Sequence, residues 1–216
     1  MATDHLLIER RDGVLYLTMN RPEKLNALSE PMVAALKGEL EAAASDSEAG
    51  AIVLTGAGRG FCSGGDIGAM RSRNEADGPP PTIERRAADL RRSEELALML
   101  HEIPKVTIAS VNGAAAGAGF GIALACDLRI ASDNARFTTA FARVGFSGDF
   151  GGTYTLTQLV GPAKARELYF LGDSLSADEA SRLGIVNRVV PSANLSDEVH
   201  ALARRIAAGP RIAYAY

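Results

Sequence analysis

An α/β domain is what this sequence predicts, and three observations carry the prediction. Two short stretches, "GAIVLTG" and "KVTIASVNG", are apolar almost throughout, as in parallel strands buried on both faces. Segments with apolar residues at helical spacing lie around them, so strand and helix alternate and the sheet is buried between helices. The 216 residues are 47% hydrophobic and 23% charged, which suits one globular unit with a sizeable core.

In chain order, "HLLIERRDGVLYLTMNRP" reads as a hairpin about the turn pair Asp12-Gly13, closed by Pro22. Ser29 then caps a helix on which Val33, Leu36 and Leu40 share a face. "GAIVLTG" follows as a strand. "ADGPPP", residues 76–81, is the least structured piece and predicts a mobile surface loop. A long amphipathic helix covers 83–102, with Leu90, Leu96 and Leu100 among its apolar positions, and Pro104 ends it. "KVTIASVNG" is the second buried strand, and "ALACDLRIAS" runs from a helix end into a third. "ELYFLGD" ends another helix, "SADEASRLG" is a short one opened by Ser176, and "IVNRVV" is a strand. From Leu195 the pattern is helical and reaches Tyr216 without a cap, which suggests a C-terminal helical segment that continues further.

Composition excludes several classes of function. A net charge of −3 and a pI near 5.7 give no electrostatic case for nucleic acid or a membrane surface. Cys62 and Cys126 are too few and too far apart for a disulfide framework or a metal spacing, so a reducing compartment and no metal are expected. "MATDHLLIERRDG" has no apolar targeting core, and no apolar run reaches about 18 residues, so the expected location is cytoplasmic.

Three glycine-rich segments stand out: "TGAGRGFCSGGDI" (55–67), "NGAAAGAGFGIALACD" (112–127) and "GFSGDFGGT" (145–153). A dinucleotide fingerprint fails, because Phe61 and Ile122 stand where its last glycine should fall. A phosphate loop fails too, since no Lys-Ser or Lys-Thr pair follows. Two readings remain. The glycines serve ordinary turns and tight packing, or two strand-to-helix turns aim backbone N–H groups at one point as an oxyanion hole.

"RPEKLNALS", "GRGFCSGGDI", "KVTIASVNGAAAGAGFGIALACDLRIAS" and "GGTYTLTQLVGPAKARELYFLGDSLSADEASRLGIVNRVV" together resemble the crotonase family, also called the enoyl-CoA hydratase/isomerase family. The match is in order and covers nearly the whole chain. The resemblance implies a β-β-α spiral core over 1–190, followed at 191–216 by the start of a C-terminal helical segment. It implies an acyl-CoA thioester substrate with no cofactor beyond the coenzyme A that the substrate carries, and a homotrimer or dimer of trimers. It puts the oxyanion donors at the N–H groups of Gly65 and Ala118. Lys24, Ala27, Asp66, Ile67, Gly117 and Phe141 fall where the family lines its acyl-CoA site.

The sequence departs from the hydratase pattern at both catalytic glutamates. Gly121 stands in place of the first and Phe141 in place of the second, and neither transfers a proton. Asp149 remains at a position where family isomerases carry an aspartate, and a single carboxylate suits moving a proton from one carbon to another. Enclosure by Phe141, Phe146 and Phe150 would raise its proton affinity. The expected activity is therefore double-bond isomerisation of an enoyl-CoA, with hydration if Asp149 alone activates water. Two alternatives stay open. Asp149 would be a nucleophile in the manner of the family's 4-chlorobenzoyl-CoA dehalogenase, which needs a histidine base in the long helix, where this chain offers only His101 at the far end. Or the protein is a silent acyl-CoA binder. Arg143 and Glu94 either reach the site or are solvated, and Cys62 is either a nucleophile or a small packed residue.

Overall fold

The computed structural model describes residues 3–75 and 81–215. The predicted loop at 76–81 therefore lies outside the described residues, apart from Pro81.

β1 (Leu6–Arg11) and β2 (Val14–Met19) form the expected hairpin, with Asp12 and Gly13 both at positive φ (54° and 74°) in the tight turn. α1 (Glu30–Ser45) starts at Ser29, whose hydroxyl accepts the Met32 N–H. Met32, Leu36 and Leu40 are its buried face, while Val33 is only half-buried. β3 (Ala51–Gly56) and β4 (Gly60–Cys62) precede α2 (Ile67–Glu75) and α3 (Ile83–Glu102). Leu96 and Leu100 of α3 are buried, but Leu90 is 44% exposed, which corrects the predicted apolar face. The buried side begins only in the last third of that helix.

β5 (Val106–Val111), β6 (Ala114–Ala116) and α4 (Ala118–Ala125) come next, then β7 (Leu128–Ser132), β8 (Arg136–Thr138) and α5 (Gly152–Leu171). The chain ends with β9 (Leu175–Ser176), α6 (Ala177–Arg182), β10 (Arg188–Val190), α7 (Leu195–Ala207) and α8 (Arg211–Tyr214). "IVNRVV" gives only the short β10, because the N–H groups of Ile185 and Val186 both donate back to the Ala180 carbonyl of α6 rather than to a strand.

The strands form two sheets. The larger has the order β1-β2-β3-β5-β7-β10, parallel except for β1; the smaller has the order β4-β6-β8-β9. Three successive turns of the chain, starting at β3, β5 and β7, each put one strand in the large sheet, the next in the small sheet, and then a helix. This repeated β-β-α path is the predicted spiral, and it stacks the ends of β4, β6 and β8 side by side. One face of the large sheet is covered by α7, whose Leu195, Val199, Ala203 and Ala207 bury against Val14, Val53, Ile108 and Ile130. Each large aliphatic side chain buried there contributes about 1.5–3 kcal/mol. The main core lies on the other face, among α1, α3, α4 and the small sheet.

α4 is apolar all round and entirely buried, so its C-terminal carbonyls need partners from within the protein. Arg129 supplies them. It is 5% exposed, and its guanidinium donates to the carbonyls of Leu124 and Cys126, and to that of Ile185 at 2.7 Å. A cation at this helix end also matches the helix dipole. Replacing Arg129 with Met should leave those carbonyls unpaired and cost about 3 kcal/mol or more, read as a lower denaturation midpoint.

Candidate active site

The site begins where β4 and β6 leave the small sheet as parallel neighbours. After Cys62 the chain turns through Ser63, Gly64 and Gly65; after Ala116 it turns at Gly117 into α4. The two turns touch backbone to backbone. Gly64 has φ 95°, and a Cβ there would lie 2.8 Å from the Ala116 carbonyl and 3.4 Å from the Ala118 nitrogen. A Cβ on Gly119 would lie 2.2 Å from the Cys62 carbonyl, so a side chain at that position would drive the two segments apart.

Ala118 is the first residue of α4, so its N–H has no acceptor within the helix. Gly65 forms a parallel bridge with Leu28 in which the Leu28 N–H donates to the Gly64 carbonyl at 2.8 Å. In such a bridge the hydrogen bonds run through Gly65's neighbours, which turns its own N–H away from Leu28. The glycines of the first two segments thus allow the backbones of the two turns to approach, beside the positive end of a buried helix.

The wall next to them is the third glycine segment. Asp149 lies between the short 3-10 turn Phe141–Val144 and α5, and its carbonyl accepts the Gly152 N–H at 3.0 Å. Phe150 and Gly151 are both left-handed, with φ 47° and 66°. A Cβ on Gly121, in the first turn of α4, would lie 3.0 Å from the Phe150 Cβ and carbonyl oxygen, and 3.4 Å from the Asp149 carbonyl oxygen. The Asp149–Phe150 turn therefore fills the space that a side chain at 121 would need. Gly121→Glu should restore no hydration; overpacking and a buried charge should cost about 3 kcal/mol or more. Thermal denaturation together with a hydration assay on a 2-enoyl-CoA checks both points.

α5 is broken at Gly161 (φ 76°, ψ 163°), with Pro162 opening its second half. A straight helix would carry Tyr169 about 25 Å from Gly152. The break returns it instead, so that its hydroxyl lies 2.7 Å from where a Gly152 Cβ would stand and its ring 2.6 Å from a Gly148 Cβ. The glycines on either side of Asp149 are thus the bed for the Tyr169 ring. That ring stacks on Phe141 at 6.1 Å between centroids, and Phe141 in turn lies 3.7 Å from a Gly117 Cβ.

Asp149 is half-buried, and its Oδ1 is buried without a hydrogen-bond partner. Burial pushes its carboxyl up to about 7, and the nearby Glu94 adds to the rise. Burial and the Asp149 charge also push the Tyr169 hydroxyl well above its ordinary range. The enclosure differs from the expected three phenylalanines. Phe141 and Phe150 are buried, but Phe146 is 60% exposed, and Tyr169 is the aromatic against the loop. Glu94 reaches across from α3, where its Oε1 accepts the Phe150 N–H at 3.4 Å.

The remaining predicted residues divide by their surroundings. Asp66 is buried with its carboxylate engaged inside the chain. It caps α2 by accepting the Ala69 N–H at 2.9 Å, and it pairs with Arg21 at 2.8 Å and Lys24 at 3.4 Å. The Ala69 N–H first, then Arg21, hold it down to about 2. Ala27 is buried, and its carbonyl accepts from Arg21. Lys24 and Ile67 keep much of their side chains exposed (50% and 63%), so they are the two of this group open to a ligand. Arg143 lies against Gly172, and His101 is exposed at the end of α3. Cys62 is fully buried and its thiol is pushed up to about 12, which removes it as a nucleophile. A surface groove of about 370 Å³ beside Asp12, Glu48, Arg204 and Arg211 holds none of these residues.

The family model described as enoyl-CoA hydratase/isomerase matches residues 9–216. The chain belongs to the enoyl-CoA hydratase/isomerase family. It is 39% identical over 208 residues to the 1,2-epoxyphenylacetyl-CoA isomerase of Escherichia coli (strain K12), covering 96% of this chain and 78% of that protein. It is 35% identical to the 4-chlorobenzoyl coenzyme A dehalogenase-2 of Arthrobacter sp, covering 95% and 73%. The crystal structure of an enoyl-CoA hydratase from Mycobacterium smegmatis superposes with a TM-score of 0.87 at 37% identity, covering 98% and 79%. Among described residues, this member of the family has no helix long and apolar enough to cross a membrane and no metal-ligand cluster.

From the sequence, Glu94 is either a solvated or a site residue, and neither Tyr169 nor Arg21 is a candidate. Arg21 opens the quoted motif "RPEKLNALS", where a buried partner for Asp66 is available. Tyr169 gave no local signal, because only the break at Gly161 brings it back to the glycine loop.

Proposed function

We propose that the protein isomerises the double bond of an enoyl-CoA, with Gly65 and Ala118 as oxyanion donors and Asp149 as the single acid/base. A 3-enoyl thioester loses a C2 proton to the Asp149 carboxylate, and the resulting dienolate carries its charge on the thioester oxygen. The two N–H groups stabilise that charge; one such donor is worth about 3–4 kcal/mol. Asp149 then returns the proton to C4, giving the 2-enoyl isomer. Atoms balance with no cofactor and no water.

The observation that carries this reading is Asp149 itself, a half-buried carboxyl with an unpaired oxygen and a proton affinity raised to about 7. A group poised there both accepts and donates a proton near neutral pH. Lys24 and Ile67 suit a place at the coenzyme A entrance, and Gly117 and Phe141 suit the acyl wall. Ala27 and Asp66 shape that entrance through Arg21. We further read the active form as a cytoplasmic homotrimer or dimer of trimers.

The similarity to a dehalogenase favours a second reading, attack by Asp149 on an aryl-CoA carbon. Against it, the residue that α3 presents to the Asp149 turn is Glu94, not a histidine. A panel of 2-enoyl-, 3-enoyl- and halogenated aryl-CoAs separates the readings. Isomer without uptake of water supports the proposal. Release of halide supports the nucleophile, and binding without any product leaves a silent acyl-CoA binder.

A further inference from the structure

The turn that carries Asp149 is not held by its own sequence alone. Phe150 adopts φ 47°, a conformation disfavoured for an aromatic residue, and such backbone persists only where its surroundings over-determine it. Its side chain is buried against Gly121, and its N–H points to Glu94 on α3. Resting on the reading that Asp149 moves the proton, we propose that Glu94 is a positioning residue. From α3 it holds the left-handed turn that aims the Asp149 carboxyl, and it keeps a second negative charge beside that carboxyl.

The groups facing Asp149 are few. Glu94 approaches from α3 and Tyr169 from the second half of α5; Phe150 is apolar, and Arg143 of the preceding turn lies away against Gly172. No described cation offsets the Glu94 charge at the carboxyl, and so it raises the proton affinity there, second to burial. The hydrogen bond fixes direction and the charge fixes protonation. One side chain performs both tasks.

Two variants separate those tasks. Glu94→Gln keeps an acceptor for the Phe150 N–H and removes the charge; Glu94→Ala removes both. The titration of Asp149 is read directly from its carboxyl infrared band, assigned by subtraction of the Asp149→Asn spectrum, and alongside it the pH profile of kcat. In Glu94→Gln the carboxyl midpoint and the acid limb of kcat should both move down by about 0.5 pH or more, with plateau kcat within about threefold. In Glu94→Ala plateau kcat should fall about tenfold or more, with a smaller change in KM. A purely structural Glu94 would lower stability without moving the midpoint. An unmoved midpoint in Glu94→Gln, or full plateau kcat in Glu94→Ala, overturns the proposal. The infrared midpoint does not depend on turnover. If it moves while Asp149→Asn keeps full activity, the electrostatic coupling stands and the isomerase reading fails instead.

Discussion

Asp149→Asn is expected to lower turnover of a 3-enoyl-CoA by about 10³–10⁴-fold with little change in acyl-CoA affinity. The amide keeps the shape of the side chain and cannot accept a proton. The same substitution should stabilise the fold at high pH. The native carboxyl holds its proton up to about 7, while its ordinary value is 3.8, so the unfolded chain releases the proton first. Stability is therefore full below the lower value and is lost as pH rises through the upper one. Asparagine suffers no such loss. The variant should melt several degrees above the wild type at pH 8 and by a smaller margin at pH 5, as read by thermal denaturation at each pH. A gain in stability joined to a loss of turnover is the mark of a carboxyl buried for chemistry rather than for packing.

Ala118→Pro is expected to lower kcat about 10²–10³-fold while leaving a folded protein. Backbone donors are hard to delete, but this one is accessible to substitution. Ala118 is the first residue of α4, a position where proline fits the helix and its missing N–H breaks no helical bond. The preceding Gly117 has φ 51° and ψ −125°, an extended mirror conformation open to glycine ahead of proline. The substitution removes one oxyanion donor and puts the ring Cδ where that N–H pointed, toward the thioester oxygen. Circular dichroism should be unchanged, and the loss should appear in kcat, because the oxygen carries its full charge only in the enolate, together with a rise in KM from crowding of that oxygen. Wild-type kcat in a folded Ala118→Pro variant would mean that the thioester oxygen sits elsewhere.

Much of the spiral could be read from the chain, because its long strands and helices declare themselves locally. "GAIVLTG" and "KVTIASVNG" became β3 and β5, and the helix at 83–102 matched α3 from end to end. The small sheet left no such trace. β4, β6 and β8 have three residues each, too short for a periodic pattern to show, so their pairing is decided by neighbours far along the chain. Leu90 and Phe146 failed for a related reason. Spacing predicts a face, but not whether another element comes to cover it. At the site, the glycine turns and Asp149 were legible as types of residue in a pattern. Tyr169 was not, since its place follows from a helix that breaks and doubles back. The contact of Glu94 with the Phe150 turn was equally hidden, because it follows from how α3 packs.

The most direct test follows the proton. Wild-type protein and Asp149→Asn are incubated with a 3-enoyl-CoA in deuterated water, and the acyl group is followed by mass and by the absorbance of the conjugated product. The account predicts formation of the 2-enoyl isomer, with deuterium entering the acyl chain only to the extent that the Asp149 proton exchanges with solvent between its two transfers, and the loss of both in the variant. Isomerisation and exchange that persist undiminished in Asp149→Asn would contradict it.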